Sequence, residues 1–318
     1  MPIYLTEKDV ESLLTMDGAL DAVEDVFRER GEGRATNKPR YRVPFGNSSL
    51  QVMSAAAPGL GVVGVKAYTA ARGGARFHVH LYSAETGELL AMLEANALGQ
   101  IRTGAATGVA TRHMARDDAS VVGMIGCGYQ ARAQLEAVCA VRVIREVKAF
   151  SPTADRRETF STEMSAKLGV NVTPVESAEE ATSQADVVVA ITSASRPVLE
   201  GKWLRPGTHV NAAGGNHWMR RELDEVAVRR AEVLVVDDLE QAKVECGDLI
   251  SPVERGVIRW EQVAELSDVV TGRVTGRESA EQITLFESQG IALEDIATGL
   301  SIYELAKEKG VGFELPAF

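Results

Sequence analysis

The sequence predicts an α/β protein in two parts, a sheet-forming first third and a doubly wound parallel sheet after it. Three observations support this prediction. Short β-like runs punctuated by glycine or proline follow one another between residues 40 and 93. From residue 119 onward, apolar runs alternate with amphipathic helical stretches, which is typical of a parallel sheet covered on both faces. A glycine-rich turn joins the first of these later runs to its helix.

The first part opens with helices and continues as a meander of strands. Residues 5–33 have helical periodicity, with Thr6 and Asp9 in a capping pattern and a second apolar run beginning at Asp17. Because a short turn at residues 84–87 joins two of the strands that follow, we expect an antiparallel or mixed sheet. The predicted strands are residues 40–45, 50–53, 62–66, 77–82 and 89–93.

A long alanine-rich helix is predicted over residues 96–115. It contains Gly99, Gly104 and Gly108, and small residues at this spacing permit the close approach of another backbone. Tight helix packing therefore explains the glycines. It does not explain Arg102, because a charged side chain in such a helix is costly to bury without a partner.

The second part alternates strands with helices. A final helix over residues 293–308 follows it and could pack back on the first part. The predicted strands are residues 120–125, 146–150, 186–190, 209–212 and 233–236, and the predicted helices are residues 129–138, 155–167 and 178–184.

Composition and charge exclude several classes of protein. The 318 residues are 45% hydrophobic and 25% charged, which is typical of a globular protein and excludes disorder as the main state. The net charge of −11 makes nucleic acid an unfavourable partner, since no basic run offsets it. No apolar stretch approaches the length of a membrane span, and the N-terminal segment lacks the order of a signal peptide. We therefore expect a cytoplasmic location and no membrane partner.

Cysteine and histidine give no metal or disulfide signal. The cysteines Cys127, Cys139 and Cys246 are odd in number and widely spaced, so no disulfide framework is expected. His78 and His80 share one face of a predicted strand, but no zinc-type spacing accompanies them. We expect no metal site.

The glycine-rich turn is the sharpest motif in the chain. It has the form G-x-G-x-x-A and stands between a predicted strand and a predicted helix, which is the context of the Rossmann dinucleotide fingerprint. Gly126 would make the tight turn, Gly128 would let the backbone approach a pyrophosphate, and Ala131 would let the helix pack near the strand. Tyr129 and Gln130 complete the expected cofactor-binding turn. The alternative is a strand–turn–helix connection without a ligand.

The end of the next strand favours NADP(H) over NAD(H). NAD enzymes usually carry an acidic residue there for the ribose hydroxyl groups, and none is present. Ser151 and Thr153 offer small donors instead, and Arg156 and Arg157 follow on the first turn of the next helix. Such a site suits a 2′-phosphate. The alternative for the two arginines is a solvated helix face.

The chain resembles the ornithine cyclodeaminase/mu-crystallin family of NAD(P)-dependent enzymes over nearly its whole length. The resemblance is specific for the family and not for the substrate. The segments that carry it are Gly64–Lys66, Thr86–Leu90, Ile101–Ala106, Gly126–Gln130, Asn211–Gly215, Arg221–Asp224, Thr284–Ser288, Gly290 and Glu294–Asp295.

The resemblance implies two domains and a homodimer. Residues 1–115 and 300–318 would form an α+β substrate-binding and dimerisation domain, and residues 116–299 would form the Rossmann domain. Members of the family act on small amino acids or imino acids, and they include ornithine cyclodeaminases, alanine dehydrogenases and ketimine reductases.

Three basic residues match the positions at which the family binds a substrate carboxylate, namely Arg42, Lys66 and Arg102. Arg40 is a near alternative to Arg42. A substrate carboxylate would give Arg102 a bidentate partner, which fits the cost of burying it alone. The alternative is an internal salt bridge to Glu94 or another acid.

Two departures from the family pattern bear on the reaction. Cyclodeaminases carry an aspartate where this chain has Asn216, and a glutamate at about the position of Met53. Asparagine cannot act as a general base, although it can orient a substrate nitrogen. The resemblance further implies that Ser288 and Gly290 line the nicotinamide.

These observations predict an NAD(P)H-dependent imino acid (ketimine) reductase, with a substrate such as Δ1-pyrroline-2-carboxylate or Δ1-piperideine-2-carboxylate. Lys66 is the expected group for proton transfer and Asn216 the group that orients the imine nitrogen. The alternatives are an ornithine cyclodeaminase, an alanine-dehydrogenase-type enzyme, and a non-enzymatic, NADP-dependent binding protein for a small ligand.

Overall fold

The computed structural model describes residues 1–71 and 74–316 of the chain. In these ranges the strands are β1 (Ile3–Leu5), β2 (Thr36–Phe45), β3 (Ser48–Ala57), β4 (Val62–Ala71), β5 (Gly74–Ser83), β6 (Leu89–Glu94), β7 (Val121–Ile125), β8 (Glu146–Phe150), β9 (Asn171–Pro174), β10 (Val187–Ala190), β11 (His209–Ala212), β12 (Val233–Val236), β13 (Val263–Glu265), β14 (Thr284–Glu287) and β15 (Phe313–Glu314).

The α-helices of the same ranges are α1 (Glu7–Leu13), α2 (Met16–Gly31), α3 (Asn96–Met114), α4 (Tyr129–Val141), α5 (Ala154–Leu168), α6 (Ala178–Thr182), α7 (Glu225–Arg230), α8 (Leu239–Glu245), α9 (Gly247–Glu254), α10 (Leu266–Val270) and α11 (Ala292–Lys309). Short 3₁₀ helices lie at Pro58–Leu60, Gly201–Trp203 and Trp260–Gln262.

The chain divides into two compact units. The first comprises Met1–Arg102 and the segment from Ile291 onward, and the second comprises Thr103–Gly290. The predicted boundaries were residues 115/116 and 299/300. The observed divisions lie earlier, because α3 contributes its first turns to one unit and its remainder to the other, and because the whole of α11 belongs to the first unit.

A mixed seven-stranded sheet forms the first unit, in the order β15-β1-β6-β5-β4-β3-β2. Strands β2 to β6 are an antiparallel meander, as predicted, and β1 pairs parallel with β6. Thr6 and Asp9 form the expected capping box at the start of α1. Helix α11 packs on the meander so closely that a Cβ on Gly64 would lie 2.7 Å from Ile296.

An eight-stranded parallel sheet forms the second unit, in the order β13-β12-β14-β11-β10-β7-β8-β9. The chain reverses direction across the sheet between β7 and β10, so the carboxyl ends of these two strands flank the position where ligands bind in doubly wound folds. Apolar clusters cover both faces, with Met124 and Leu135 in one and Ile125 and Val210 in the other. The fold is therefore the predicted α/β architecture.

None of the helices described for this chain is both long and apolar enough to cross a membrane.

Candidate active site

A buried cluster of cations and carboxylates occupies the first unit. Lys66 on β4 is 3% exposed and Arg102 on α3 is 5% exposed. Asp295 on α11 accepts hydrogen bonds at one oxygen, Oδ1, from both: Lys66 Nζ at 2.7 Å and Arg102 Nε at 2.9 Å. Glu294 accepts from the Arg102 terminal nitrogen Nη1 at 2.5 Å. One arginine thus joins two carboxylates, and one of these carboxylates joins the arginine to the lysine.

Local structure leaves space for this cluster. Lys66 pairs with Met53 on β3 and with Val79 on β5, and its ammonium lies 5.3 Å from the centre of the Phe77 ring. A Cβ on Gly99 would lie 3.3 Å from Lys66 Nζ, so the absence of a side chain there leaves room for the ammonium group.

The two acids lie in the first turn of α11, where the helix dipole favours negative charge. Both are fully buried. In the sequence, Glu294 and Asp295 were recognised only as part of a family motif, and no contact between them and the cations was predicted.

Burial and neighbouring charges shift the titration of this cluster. Burial and the positive charges of Arg102 and Arg40 lower the pKa of Lys66 to about 8, against the opposite effect of Asp295. Burial raises the pKa of Glu294 to about 7, although Arg102 acts against the shift. Lys66 and Glu294 are therefore the two groups of the cluster with pKa values near neutral pH.

The internal ion pairs use only some of the N–H donors of Lys66 and Arg102. An ammonium group has three N–H bonds and a guanidinium five. Among the described residues, Lys66 uses one of its N–H bonds and Arg102 uses two. The internal salt bridge, given above as the alternative to substrate binding, is present, but its acids are Glu294 and Asp295. Glu94 instead accepts hydrogen bonds from Tyr4 and the Glu7 backbone.

The third predicted cation is better matched by Arg40 than by Arg42. Arg40 is 6% exposed, its Nε contacts Met53 Sδ at 3.3 Å, and its charge acts on Lys66. Arg42 is only partly buried and pairs with Gln51 on β3. An irregularity in the register of β2 lies between Lys38 and Tyr41, a feature that strand alternation alone does not reveal.

The glycine-rich turn of the second unit has the geometry of a dinucleotide site. Gly126 has φ +107°, and a Cβ there would lie 2.3 Å from the Ile191 carbonyl oxygen, so only glycine fits. Gly128 caps α4 without a side-chain hydrogen bond, and a Cβ on it would meet nothing within 4 Å. The backbone donors at the start of α4 therefore have open space before them.

The other residues of the predicted turn occupy different surroundings. Tyr129 is 52% exposed, and Ala131 is fully buried against the sheet. The Gln130 side-chain oxygen is buried, and no hydrogen bond to it is present among the described residues.

The two adjacent arginines in the first turn of α5, just after β8, have different surroundings. Arg157 is buried and donates to the Ser151 carbonyl oxygen at 3.1 Å and to Glu176 at 2.5 Å, so its role is structural rather than that of a solvated side chain. Arg156 is exposed, with no ion pair in the described part of the chain. Thr153 is exposed and caps α5 without a side-chain hydrogen bond, whereas Ser151 is buried.

Three further predicted residues follow neighbouring strands of the parallel sheet. Asn216 is half-buried in the loop after β11. Ser288 and Gly290 come directly after β14, and the Asp237 carboxylate accepts from the Gly290 N–H at 2.7 Å and from the Ser288 hydroxyl at 3.4 Å. Gly290 has φ +71°, which favours glycine. The carboxyl ends of β11 and β14 thus carry these residues at the ligand-binding edge of the sheet.

The same edge contains buried acids that sequence reasoning missed. Glu222 accepts from the backbone N–H groups of Thr192 and Gly214, and burial raises its pKa to about 7. Burial raises the pKa of Asp248 to about 6. Glu287 ends β14, and burial, Asp248 and Glu222 raise its pKa well above its usual range. The family motifs included two of these acids, but no spacing rule linked them.

The described residues contain no cluster of three or more His, Cys, Asp or Glu side chains arranged to hold a metal ion.

Comparisons with known proteins place the chain in one family. The model of the ornithine cyclodeaminase/mu-crystallin family matches residues 2–310. The solved Thermococcus litoralis Δ1-pyrroline-2-carboxylate reductase, in complex with NADH and L-proline, is 37% identical, with a TM-score of 0.94 over 98% of this chain and 100% of its own. A solved archaeal alanine dehydrogenase dimer with bound NAD is 38% identical, with a TM-score of 0.94 over 100% of this chain and 99% of its own.

A curated relative agrees with the solved structures. The Δ1-pyrroline-2-carboxylate reductase of Bacillus cereus (strain ATCC 10987 / NRS 248) is 35% identical over 320 residues, which cover 98% of each chain. These relatives are oxidoreductases of amino and imino acids. With residues 2–310 matched by the family model and nearly the whole chain covered by these relatives, the chain belongs to the ornithine cyclodeaminase/mu-crystallin family.

Proposed function

We propose that this protein reduces a small α-imino acid with a nicotinamide dinucleotide, with Δ1-pyrroline-2-carboxylate as the first candidate substrate and Δ1-piperideine-2-carboxylate as the second. The observation that carries the proposal is the buried cluster of Lys66 and Arg102, which keeps unused donors among the described residues. A small carboxylate is the ligand that such a cluster binds most favourably.

The cations would hold and orient the substrate. Arg102 has a planar set of donors that matches a carboxylate, and Arg40 adds positive charge beside Lys66. Because Lys66 is close to its own pKa near neutral pH, it is also the best candidate in this cluster for moving a proton. Arg42 remains a predicted contributor from the same strand as Arg40.

The glycine-rich turn fits a dinucleotide. The open space at Gly128, at the N-terminus of α4, suits a pyrophosphate, with Tyr129, Gln130 and Ala131 completing the turn. Ser288 and Gly290 would lie beside the nicotinamide ring. The bound dinucleotide supplies the hydride, and the protein supplies the binding, orientation and charge that favour its transfer.

We further propose that NADP(H) is preferred over NAD(H). Arg156 and Thr153 are exposed and lie just after β8, where the ribose is expected, and the Thr153 side chain makes no capping hydrogen bond to α5. No acidic side chain ends this strand. The solved relatives described above hold NADH or NAD, so the preference needs a direct comparison of the two cofactors.

Reduction is favoured over ornithine cyclisation by two neutral side chains. Asn216 follows β11 where cyclodeaminases carry an aspartate, and Met53 lies opposite Lys66 in the sheet where they carry a glutamate. Without these carboxylates the chain lacks the expected groups to accept protons from a distal amine. Asn216 would instead orient the imine nitrogen by hydrogen bonds.

We also propose a homodimer. Tyr41, Val43 and Phe45 alternate along β2, which is at the edge of its sheet, and their side chains are 57%, 47% and 47% exposed. A row of large apolar side chains on an edge strand favours association with a second copy.

The test is a panel of reactions followed by NADPH and NADH absorbance and by ammonia release. Rapid oxidation with Δ1-pyrroline-2-carboxylate and no turnover of L-ornithine is the expected result. Faster oxidation with pyruvate and ammonia would favour an alanine-dehydrogenase-type enzyme. Ammonia release from ornithine without net reduction would contradict the reductase. Dinucleotide and carboxylate binding with no turnover of any of these substrates would favour a binding protein.

A further inference from the structure

We propose that Glu294 takes up a proton when the substrate carboxylate binds, so that substrate binding is coupled to pH through a residue that does not itself hold the substrate. This inference rests on the proposed function, since it takes Lys66 and Arg102 as the carboxylate site. It gives Glu294 the role of a positioning residue that acts through Arg102.

The contacts distinguish the two acids of the cluster. Asp295 has two cationic partners, Lys66 and Arg102, at a single oxygen. Glu294 has one cationic partner, Arg102, and the second oxygen of each acid is buried with no hydrogen-bond partner among the described residues. Losing the negative charge therefore costs fewer ion pairs at Glu294 than at Asp295.

The charges change when a substrate arrives. Lys66 and Arg102 bring two positive charges, and the two acids of α11 bring up to two negative charges. A bound carboxylate adds a third anion to this buried site. The energy of the anions falls if one of them is protonated, and the proton comes from solvent.

Among the described residues, the charged groups that act most strongly on Glu294 belong to this cluster. They are Arg102 from α3, Lys66 from β4 and Asp295 from α11 itself. In the unbound protein, burial raises the pKa of Glu294 to about 7, so a further rise caused by substrate protonates it near neutral pH. By linkage, the carboxylate then binds more tightly as the pH falls from about 8 towards 7.

The experiment is calorimetry with pyrrole-2-carboxylate, a planar ligand that cannot be reduced and does not titrate between pH 6 and 9. Binding is measured at pH 8 in buffers of different ionisation enthalpy, which gives the number of protons taken up. The proteins are the wild type, Glu294→Gln, and Glu304→Gln as the matched control on the exposed face of α11.

We expect Glu294→Gln to take up fewer protons than the wild type, by about half a proton or more, while Lys66 accounts for the remainder. Because glutamine imitates the neutral acid, the variant should also bind the ligand up to about tenfold more tightly at pH 8, with the two affinities converging at pH 6. The Glu304→Gln control should match the wild type. Unchanged proton uptake in Glu294→Gln would overturn the proposal.

Failure of the proposed function gives a different result. If the wild type does not bind pyrrole-2-carboxylate at all, the carboxylate site itself is refuted. Glu294 is then tested without ligand by infrared titration of buried carboxyl groups. A carboxyl band that titrates near pH 7 and is missing in Glu294→Gln supports proton exchange at Glu294 near neutral pH, and identical spectra overturn it.

Discussion

At the scale of single residues, Asp295 reduces the energetic cost of burying two cations. Its one oxygen accepts a hydrogen bond from each of Lys66 and Arg102, and the rest of their donors stay available. An uncompensated buried charge costs several kcal/mol, so the pairing is needed for the fold as well as for the ligand. The sequence predicted both cations correctly as buried groups that need a partner, and the partner it could not predict lies 193 residues from Arg102.

Replacement of Arg102 tests the carboxylate site. We expect Arg102→Leu to weaken binding of pyrrole-2-carboxylate by about 30-fold or more, because loss of a buried charge partner costs about 2–5 kcal/mol. Dinucleotide binding, measured by fluorescence titration, should stay near the wild-type value. Arg28→Leu is the control, since Arg28 is a half-exposed arginine on α2. Equal loss of both ligands would make Arg102 a purely structural residue.

Arg156 carries the prediction about cofactor choice. We expect Arg156→Gln to raise the KM for NADPH by about five- to tenfold, the effect of losing about 1 kcal/mol of charge-assisted binding, while the KM for NADH changes little. Arg145→Gln is the matched control, because Arg145 is an exposed arginine at the opposite end of β8. A wild type that binds NADH as tightly as NADPH, with no effect of Arg156→Gln, would refute the preference.

At the scale of elements, the sequence was most informative where a local rule determines the structure. The connection from β7 through Gly126 to α4 was predicted because strand, turn and helix each have a signature. Strands β9, β13 and β14 were not predicted, because each is a run of three or four residues that ends in a proline or a glutamate and so carries a weak apolar signal. The burial of Arg40 rather than Arg42 also lay beyond alternation, since the register of β2 is irregular between Lys38 and Tyr41.

The end of β14 gives a prediction about pH and stability. Burial and neighbouring acids raise the pKa of Glu287 in the folded protein, so the unfolded chain releases this proton at a lower pH than the folded chain does. Raising the pH therefore favours unfolding. We expect the free energy of unfolding of the wild type to fall relative to that of Glu287→Gln between pH 6 and 8.5, by up to about 1.4 kcal/mol per pH unit.

Urea denaturation at the two pH values measures this difference. Glu158→Gln is the control, because Glu158 is an exposed acid on α5. If the difference in free energy of unfolding between the wild type and Glu287→Gln does not grow with pH, Glu287 is ionised in the folded protein.

At the scale of the whole molecule, the net charge of −11 contrasts with the two cations, Lys66 and Arg102, that are buried together in the first unit. A small anionic substrate can bind at these buried cations, whereas the net negative charge disfavours a large anionic partner on the surface. The order of elements predicted the two-part architecture, whereas the exposed row on β2 became visible only in the folded chain.

A substitution in the exposed apolar row of β2 tests the proposed dimer. We expect Val43→Lys to shift the protein from dimer to monomer in sedimentation velocity, because a charge in an apolar interface loses its hydration. Val143→Lys is the matched control, since Val143 is an 81% exposed valine in the second unit. A wild-type monomer, or a Val43→Lys dimer of unchanged stability, would contradict the proposed interface.

The central claim is that hydride passes from the dinucleotide to the imine carbon of a small carboxylate substrate. The most direct measurement uses NADPH deuterated at nicotinamide C4 with Δ1-pyrroline-2-carboxylate, followed by mass spectrometry and NMR of the product. The account predicts L-proline with one deuterium at Cα for each dinucleotide oxidised. Absence of reduction, or proline without deuterium at Cα from either deuterated face of the nicotinamide, would contradict it.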